Sequence, residues 1–485
     1  MRPQRQRSKR WVRSGTGRRY AFRAVAAAIG FAVIAAGAGT DASAETLKQA
    51  LASTYVYNPE IEAERARLRS IDEEVPQALS NYRPTLSGGA EIEHNHVSSV
   101  SGIPPIGTSG SFSPKRFSIT VSQPVFRGFR TLNSVKQAEA LVRAGREALL
   151  NSEQNVLLDA VVAYVDVVRD LSIVNLRRNN LRVLNEQLRG TRDRFSVGEV
   201  TRTDVAQGEA RVSRAISALN LAEANLNTSR AVYNRVVGHP PGDLTQPPAI
   251  DALLPRSLED ALVIAETEHP AIRNSLYNEE AAMHGVDVTT GELLPTVSVD
   301  ASYNKGYDTG PTTRESESAT IRGRLTVPFY QRGEVSSRVR QSLQVRDQRR
   351  LELAQIRREV RAAGVSAWGQ LDAARAQIRA DAAQVEANEV ALTGVREEAD
   401  VGQRTVLDVL DAEQELLDSQ VALVTTRRNF VVASYALLSS IGRLHARKLG
   451  LPVEIYDPMI YYREVRDKWF GLGSYTDEQN LFPTK

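Results

Sequence analysis

One stretch of this sequence occurs twice. Val197 to Glu209, VGEVTRTDVAQGE, returns 204 residues later as Val401 to Glu413, VGQRTVLDVLDAE. At that offset Val197 matches Val401, Gly198 matches Gly402, Thr201 matches Thr405, Asp204 matches Asp408 and Glu209 matches Glu413. The register holds far outside the motif, with Pro124 on Pro328, Tyr164 on Trp368 and Gly238 on Gly442. A chain that uses one unit twice is bound to a repeated architecture. Over about 115 residues the copies need no insertion or deletion, a restriction that interlocked long helices impose and loops do not. The motif therefore reads as a tight turn joining two long helices.

The flanking patterns agree. Val167, Val174, Leu181, Leu188 and Phe195 recur every seven residues, with Tyr164 and Leu171 completing the seam, and the second copy repeats this at Leu371, Ile378, Val385, Leu392 and Ala399. That spacing predicts two long coiled-coil helices, Arg130 to Ser196 and Glu334 to Asp400, each about 100 Å long at about 1.5 Å per residue. A helix of about half that length follows each turn, Thr203 to Val237 and Leu407 to Ile441, closed by Gly238 and Gly442. Another precedes the strands in each repeat, Glu45 to Asn81 and Ser257 to Glu292, broken at Asn58-Pro59 and His269-Pro270. Two half-length helices sum to one long helix, so they are expected to stack end to end beside it.

Between the helices the period changes to two. Tyr82 to Glu93, Phe117 to Gln123, Thr296 to Tyr303 and Thr320 to Val327 each carry one apolar and one polar face, as barrel strands do with lipid outside and water inside. Val97 to Pro114 and Asn304 to Ser318 read as their hairpin loops. Four strands cannot close a barrel, and unsatisfied edges in lipid cost several kcal/mol per group, so a barrel must be shared between chains. Two chains would supply eight strands and three would supply twelve.

The chain starts with a basic region, Arg2 to Arg23, then an apolar run of 16 residues, Ala24 to Gly39, then Ala42-Ser43-Ala44, the pattern of a cleaved export signal over residues 1–44. Nine Lys or Arg and one acidic residue precede position 45, so removing that +8 takes the net charge from +3 to near −5. A slightly acidic mature chain argues against nucleic acid as a partner. The sequence has no cysteine, which excludes disulfides, thiolate metal sites, a catalytic thiol and a lipidated N-terminal Cys. Nothing after residue 44 is a long apolar run. The remaining divisions are a first repeat at 45–238, a linker at 239–256, a second repeat at 257–442 and an extension at 443–485.

The signal segment, the helix opening TLKQALASTYVYNPEI, the segment SQPVFRGFRT, the two VGxxTxxDV turns and the 204-residue duplication together resemble the TolC family of outer-membrane channel proteins, over essentially Glu45 to Leu444. The resemblance implies a mainly α fold with a β-barrel: a homotrimer with a 12-stranded barrel in outer-membrane lipid, continued by a 12-helix tunnel across the periplasm. It further implies docking on a periplasmic adaptor and an inner-membrane ABC or proton-driven transporter, with drugs or unfolded proteins as cargo. A periplasmic coiled-coil scaffold without membrane insertion is the rival reading, and four strands with an apolar face count against it. Heavy-metal efflux finds little support, with three Met and no Cys to supply soft ligands.

Thr201 with Asp204 and Thr405 with Asp408 fit capping boxes at helix starts. Asp411 lies one turn beyond Asp408 on the same face, too deep for a cap, and Gln207 stands at the matching place in the first repeat. By resemblance Asp408 and Asp411 form the tunnel constriction, up to six carboxylates in a trimer, and Thr203, Asp204 and Arg404 form the network that holds it shut. A family tyrosine of that network is absent, and Ala399 stands in its place. Val197-Gly198 and Val401-Gly402 read as helix C-caps and, by resemblance, as the tips that an adaptor touches. His94 and His96 read as solvated loop residues rather than a metal site. No catalytic triad, phosphate loop or catalytic carboxylate pair can be argued, so neither an enzyme nor a cofactor is expected.

Overall fold

The computed structural model describes residues 44–101, 106–248, 250–310 and 313–473. The expected export signal therefore lies, but for Ala44, outside the described residues, as does the extension beyond 473.

The first repeat opens with α1 (Leu47–Tyr57), α2 (Pro59–Asp72) and α3 (Glu74–Ser80). Proline has no amide hydrogen and suits a first helical position, so the first break falls at Asn58-Pro59, where the Asn58 side chain accepts a hydrogen bond from the Glu60 amide at 2.9 Å. Next come β1 (Thr85–Ile92), β2 (Asn95–Ser101), β3 (Ile106–Phe112) and β4 (Lys115–Arg127), and then α4 (Arg130–Ser196) and α5 (Arg202–Val237). The second repeat supplies α6 (Leu258–Glu268), α7 (Pro270–Thr290), β5 (Thr296–Tyr307), β6 (Glu315–Thr326), α8 (Glu334–Asp400) and α9 (Val406–Ser440). His269 stands where Asn58 does, its Nδ1 accepting from the Ala271 amide at 3.1 Å. Asp287 replaces Pro76, and α7 runs unbroken where the first repeat divides into α2 and α3. Both α4 and α8 are 67 residues long, as the gap-free duplication requires.

The half-length helices do stack, with one correction. The α5 end meets the α1–α2 break, where Asn58 Nδ2 donates to the Val236 carbonyl at 2.9 Å. The α9 end meets the α6–α7 break, with Gly442 packed against the backbone of His269. Only the parts after each proline continue the stack; α1 and α6 lie to the side, against α4 with α5 and against α8 respectively. A proline break redirects the axis, so the segment before it cannot stay in line.

Strands β1, β4, β5 and β6 form one antiparallel sheet in that order. Leu86, Val121, Ala301 and Ile321 line up across it as one row, and Ser87, Thr120, Ser302 and Thr320 form the next row on the opposite face. Leu86 is 73% exposed and Ile321 81%, so the apolar face has no cover within the chain. Strands β2 and β3 correct the expected loop Val97 to Pro114: they pair as a separate two-stranded ribbon. Its Ser- and Gly-rich sequence shows no apolar face because a ribbon outside the main sheet needs none. The second expected loop shrinks to the turn between Tyr307 and Glu315. Among the described residues no helix is long and apolar enough to cross a membrane.

The main core sits around the middle of α4, where Leu157, Ala160, Val161 and Tyr164 are fully buried with Leu51 of α1, Tyr233 of α5 and Leu437 of α9. Each such Leu contributes about 1.5–3 kcal/mol by leaving water. The Tyr164 hydroxyl lies 2.7 Å from the carbonyls of both Glu45 and Thr245, tying the start of the chain and the linker to the core. After α9 the chain adds α10 (Ala446–Leu449) and α11 (Met459–Val465).

Candidate functional site: the turn end of the two coiled coils

Each long helix ends in the same way. Beyond Ser196 the Gly198 amide donates to the Phe195 carbonyl and the Glu199 amide to that of Arg194, both at 3.0 Å; Gly402 and Gln403 repeat this on Ala399 and Glu398 at 3.0 and 2.9 Å. This C-cap needs a left-handed residue, and the glycines supply φ of 84° and 80°. The turns hold Val197 and Val401 in the open, each 70% exposed, two matched apolar knobs at the tips.

The next helices then start on capping boxes. Asp204 Oδ2 accepts from the Thr201 amide and hydroxyl, both at 2.8 Å, and Asp408 Oδ2 accepts from the Thr405 amide at 2.9 Å and hydroxyl at 2.8 Å. These hydrogen bonds hold both carboxyls below the ordinary Asp range, backbone amide first. Thr203 is exposed on the first turn of α5. Arg404 reaches back along its own coiled coil, Nε to Glu398 Oε2 at 2.8 Å, and not to Asp204. Ala399 is half-buried near the end of α8.

Asp411 pairs with Arg211 of the first repeat, Oδ1 against Nη2. That ion pair spans the two hairpins. Beside it Glu413 is buried between them, its Oε1 accepting from Arg396 at 2.6 Å and also from Gln187 of α4. The duplicate of the Arg396 pair is Arg192 with Glu209, at 2.7 Å but exposed. A cavity of about 170 Å³ lies between the hairpins, bordered by Arg177, Arg211, Arg214, Glu413 and Asp418, with Leu184, Ala215 and Leu410 closing its apolar side.

Sequence reasoning thus placed the two turns and their caps and missed Arg211, Gln187 and Glu398. Arg211 carried no signal, because Glu415 occupies the matching position of the second repeat. Arg192 and Arg396 do obey the 204 offset and could have been found with Glu209 and Glu413. His94 and His96 are both exposed, but only His94 is in a loop and His96 lies within β2, a correction to the expected loop; their Nδ1 atoms are 3.1 and 2.9 Å from the hydroxyls of Ser113 and Ser111. Among the described residues no cluster of three or more potential ligands could hold a metal.

The sequence profile of the family described as Outer membrane efflux protein matches residues 46–239 and 261–443, the two repeats. The chain is 42% identical over 456 residues to the outer membrane efflux protein BepC of Brucella suis, covering 93% of this chain and 98% of that one. It is 22% identical to the outer membrane protein TolC of Escherichia coli over 84% of each. Among solved structures, the CmeC outer membrane channel of Campylobacter jejuni superposes with a TM-score of 0.76 at 15% identity, covering 87% of this chain and 89% of that one. The outer-membrane channel OprN gives 0.71 at 19%, covering 82% and 89%. With both repeats matched, the strands apolar on one face and the fold shared with known channels, this chain belongs to the outer membrane efflux protein family and is a TolC-family channel of the outer membrane.

Proposed function

We propose that three copies of this chain form the exit duct of a tripartite export system, which takes cargo from an inner-membrane transporter and releases it outside. The observation that carries the reading is the incompleteness of the single chain. Strands β1 and β6 are unpaired edges of an apolar-faced sheet, and below them both flanks expose apolar residues, Leu351, Val365 and Val390 on α8 and Ile216 and Leu221 on α5. Joining one flank to the other in a head-to-tail ring satisfies both at once, and three such steps give a closed barrel and tunnel.

In that ring the tips Val197, Gly198, Val401 and Gly402 offer an apolar rim to a periplasmic adaptor. Asp408 and Asp411 face the bore as its constriction, and Thr203, Asp204 and Arg404 hold the tips together when shut. The Arg211–Asp411 pair adds a further link between hairpins and offsets part of the ring's negative charge. Small-molecule efflux is favoured over protein secretion as the task, because the relative at 42% identity is named for efflux while AprF of Pseudomonas aeruginosa, named for alkaline protease secretion, is 23% identical.

Trimers in planar bilayers test this reading. The expected channel is cation-selective and blocked by a trivalent cation, since clustered carboxylates attract multivalent cations. Asp408→Ala with Asp411→Ala should abolish the block; a block that survives puts the constriction elsewhere.

A further inference from the structure

The extension after α9 does not hang free. From α10 it runs along the first repeat toward the sheet. The Tyr461 hydroxyl donates to Glu73 at 2.9 Å, Tyr462 packs on Val75, Ala138 and Val142, and Arg466 pairs with Glu139 at 3.3 Å. The strap ends at Arg83, two residues before β1. Arg83 Nη1 donates to the Lys468 carbonyl at 2.6 Å, and its guanidinium lies over the Trp469 ring at 4.8 Å. Lys468 Nζ then donates to the Gly473 carbonyl, closing a loop. That loop presents Trp469, Phe470 and Leu472 outward, with Phe470 91% exposed.

We propose that this loop is a membrane anchor, seated in the headgroup and upper acyl layer of the leaflet nearer the helices. Three features select lipid as the occupant. The loop lies directly below β1, so it continues the uncovered apolar band that begins at Leu86. At the same level other strand ends also carry exposed apolar residues, Tyr82 before β1, Phe129 after β4, Leu293 before β5 and Phe329 and Tyr330 after β6. And the aromatic residues alternate with the cations Arg83 and Lys468, which suits an interface with apolar chains on one side and phosphates on the other. The strap would then fasten the base of the barrel to the first repeat from outside the sheet.

Fluorescence of Trp469 reads its surroundings directly. Trp11→Phe with Trp368→Phe leaves it as the chain's single Trp. Trimers of that variant in phospholipid vesicles should emit to the blue, be quenched by acyl chains brominated near their carbonyl end and resist iodide in the water. Adding Phe470→Ser and Leu472→Ser should abolish the lipid quenching while heat-resistant trimers persist. Iodide quenching without lipid quenching would place the loop in water, and quenching by neither would place it under protein; either result overturns the proposal.

Discussion

The two repeats share one design and end in different surroundings. In the first, α4 is enclosed by α5, α2, α3, α7 and α9, and residues along most of its length are buried. In the second, α8 has the same length but is covered on one side only, and Leu351 is 71% exposed. The sheet repeats the contrast: β4 has partners on both edges and β6 on one. Duplication copies a surface together with a core, so α4 and β4 find their neighbours within the chain while α8 and β6 leave one side open, the side that the proposed ring would cover.

The strongest way to break this comparison is to damage each long helix in turn. Leu157→Ala in α4 should cost about 2–5 kcal/mol as a buried cavity and lower the melting temperature of the helices by circular dichroism. Leu351→Glu in α8 should leave helix content intact and lower the temperature at which trimers separate on gels. Equal trimer resistance in the Leu351 variant would show that this flank is no interchain surface.

Acid–base behaviour sharpens the contrast next. Asp72 is fully buried, neither carboxylate oxygen has a hydrogen-bond partner, and Met283 occupies the matching position of the second repeat. Burial pushes its carboxyl from 3.8 up to about 7, against the opposing pull of Arg146. The folded chain then holds a proton that the unfolded chain has released, so stability falls as pH rises from about 4 to about 7. Asp72→Asn should flatten that slope and melt higher than the parent at neutral pH. A parent without such a slope would mean that Asp72 ionises freely.

Glu413 and Glu209 offer a smaller test on duplicate residues. Glu413→Ala breaks a buried charge-assisted pair and should cost about 1–3 kcal/mol, whereas Glu209→Ala, exposed, should stay within about 0.5 kcal/mol. Equal melting shifts would deny that contact between the hairpins distinguishes them.

The gate should give the least per copy. Arg211→Ala removes a partly exposed pair worth about 0.2–1 kcal/mol, and Arg404→Ala removes a wholly exposed one. In a trimer three copies of the Arg211 pair would amount to roughly 0.6–3 kcal/mol, enough to shift a closed-to-open balance by about three-fold to beyond a hundred-fold. Single-channel conductance and entry of a large antibiotic should rise in both. The double variant Arg404→Ala with Asp204→Ala should open the channel further and also fray the start of α5, because Asp204 closes a capping box. Unchanged conductance in every variant would leave closure to coiled-coil packing.

The fold was largely legible because its determinants are local and repeated. Seven-residue spacing, Pro59 and Pro270 at the breaks, and Gly198 and Gly402 at the turns each act within a few residues. The ribbon of β2 and β3 was not legible, since Ser and Gly there encode no facing. The site was half legible. Thr405 and Asp408 are a contact of neighbours in sequence, while Arg211 with Asp411 depends on how two hairpins lean together across 200 positions. Arg404 shows the same limit: from the turn it pairs with Glu398 at the end of α8, six positions away, rather than with Asp204 of the other repeat.

Asn58 has a mechanical consequence. One amide side chain serves both a carbonyl in the last turn of α5 and an amide in the first turn of α2, so two helices that share no covalent bond at that point are joined end to end. Ser53 adds a second link there, its hydroxyl donating to the Val237 carbonyl at 3.4 Å. The 67-residue helices beside it have no joint and can only bend. In the second repeat the matching joint is built differently: His269 caps only its own helix, through the Ala271 amide, and Arg443 just after α9 clamps Glu268 at the end of α6 with two hydrogen bonds.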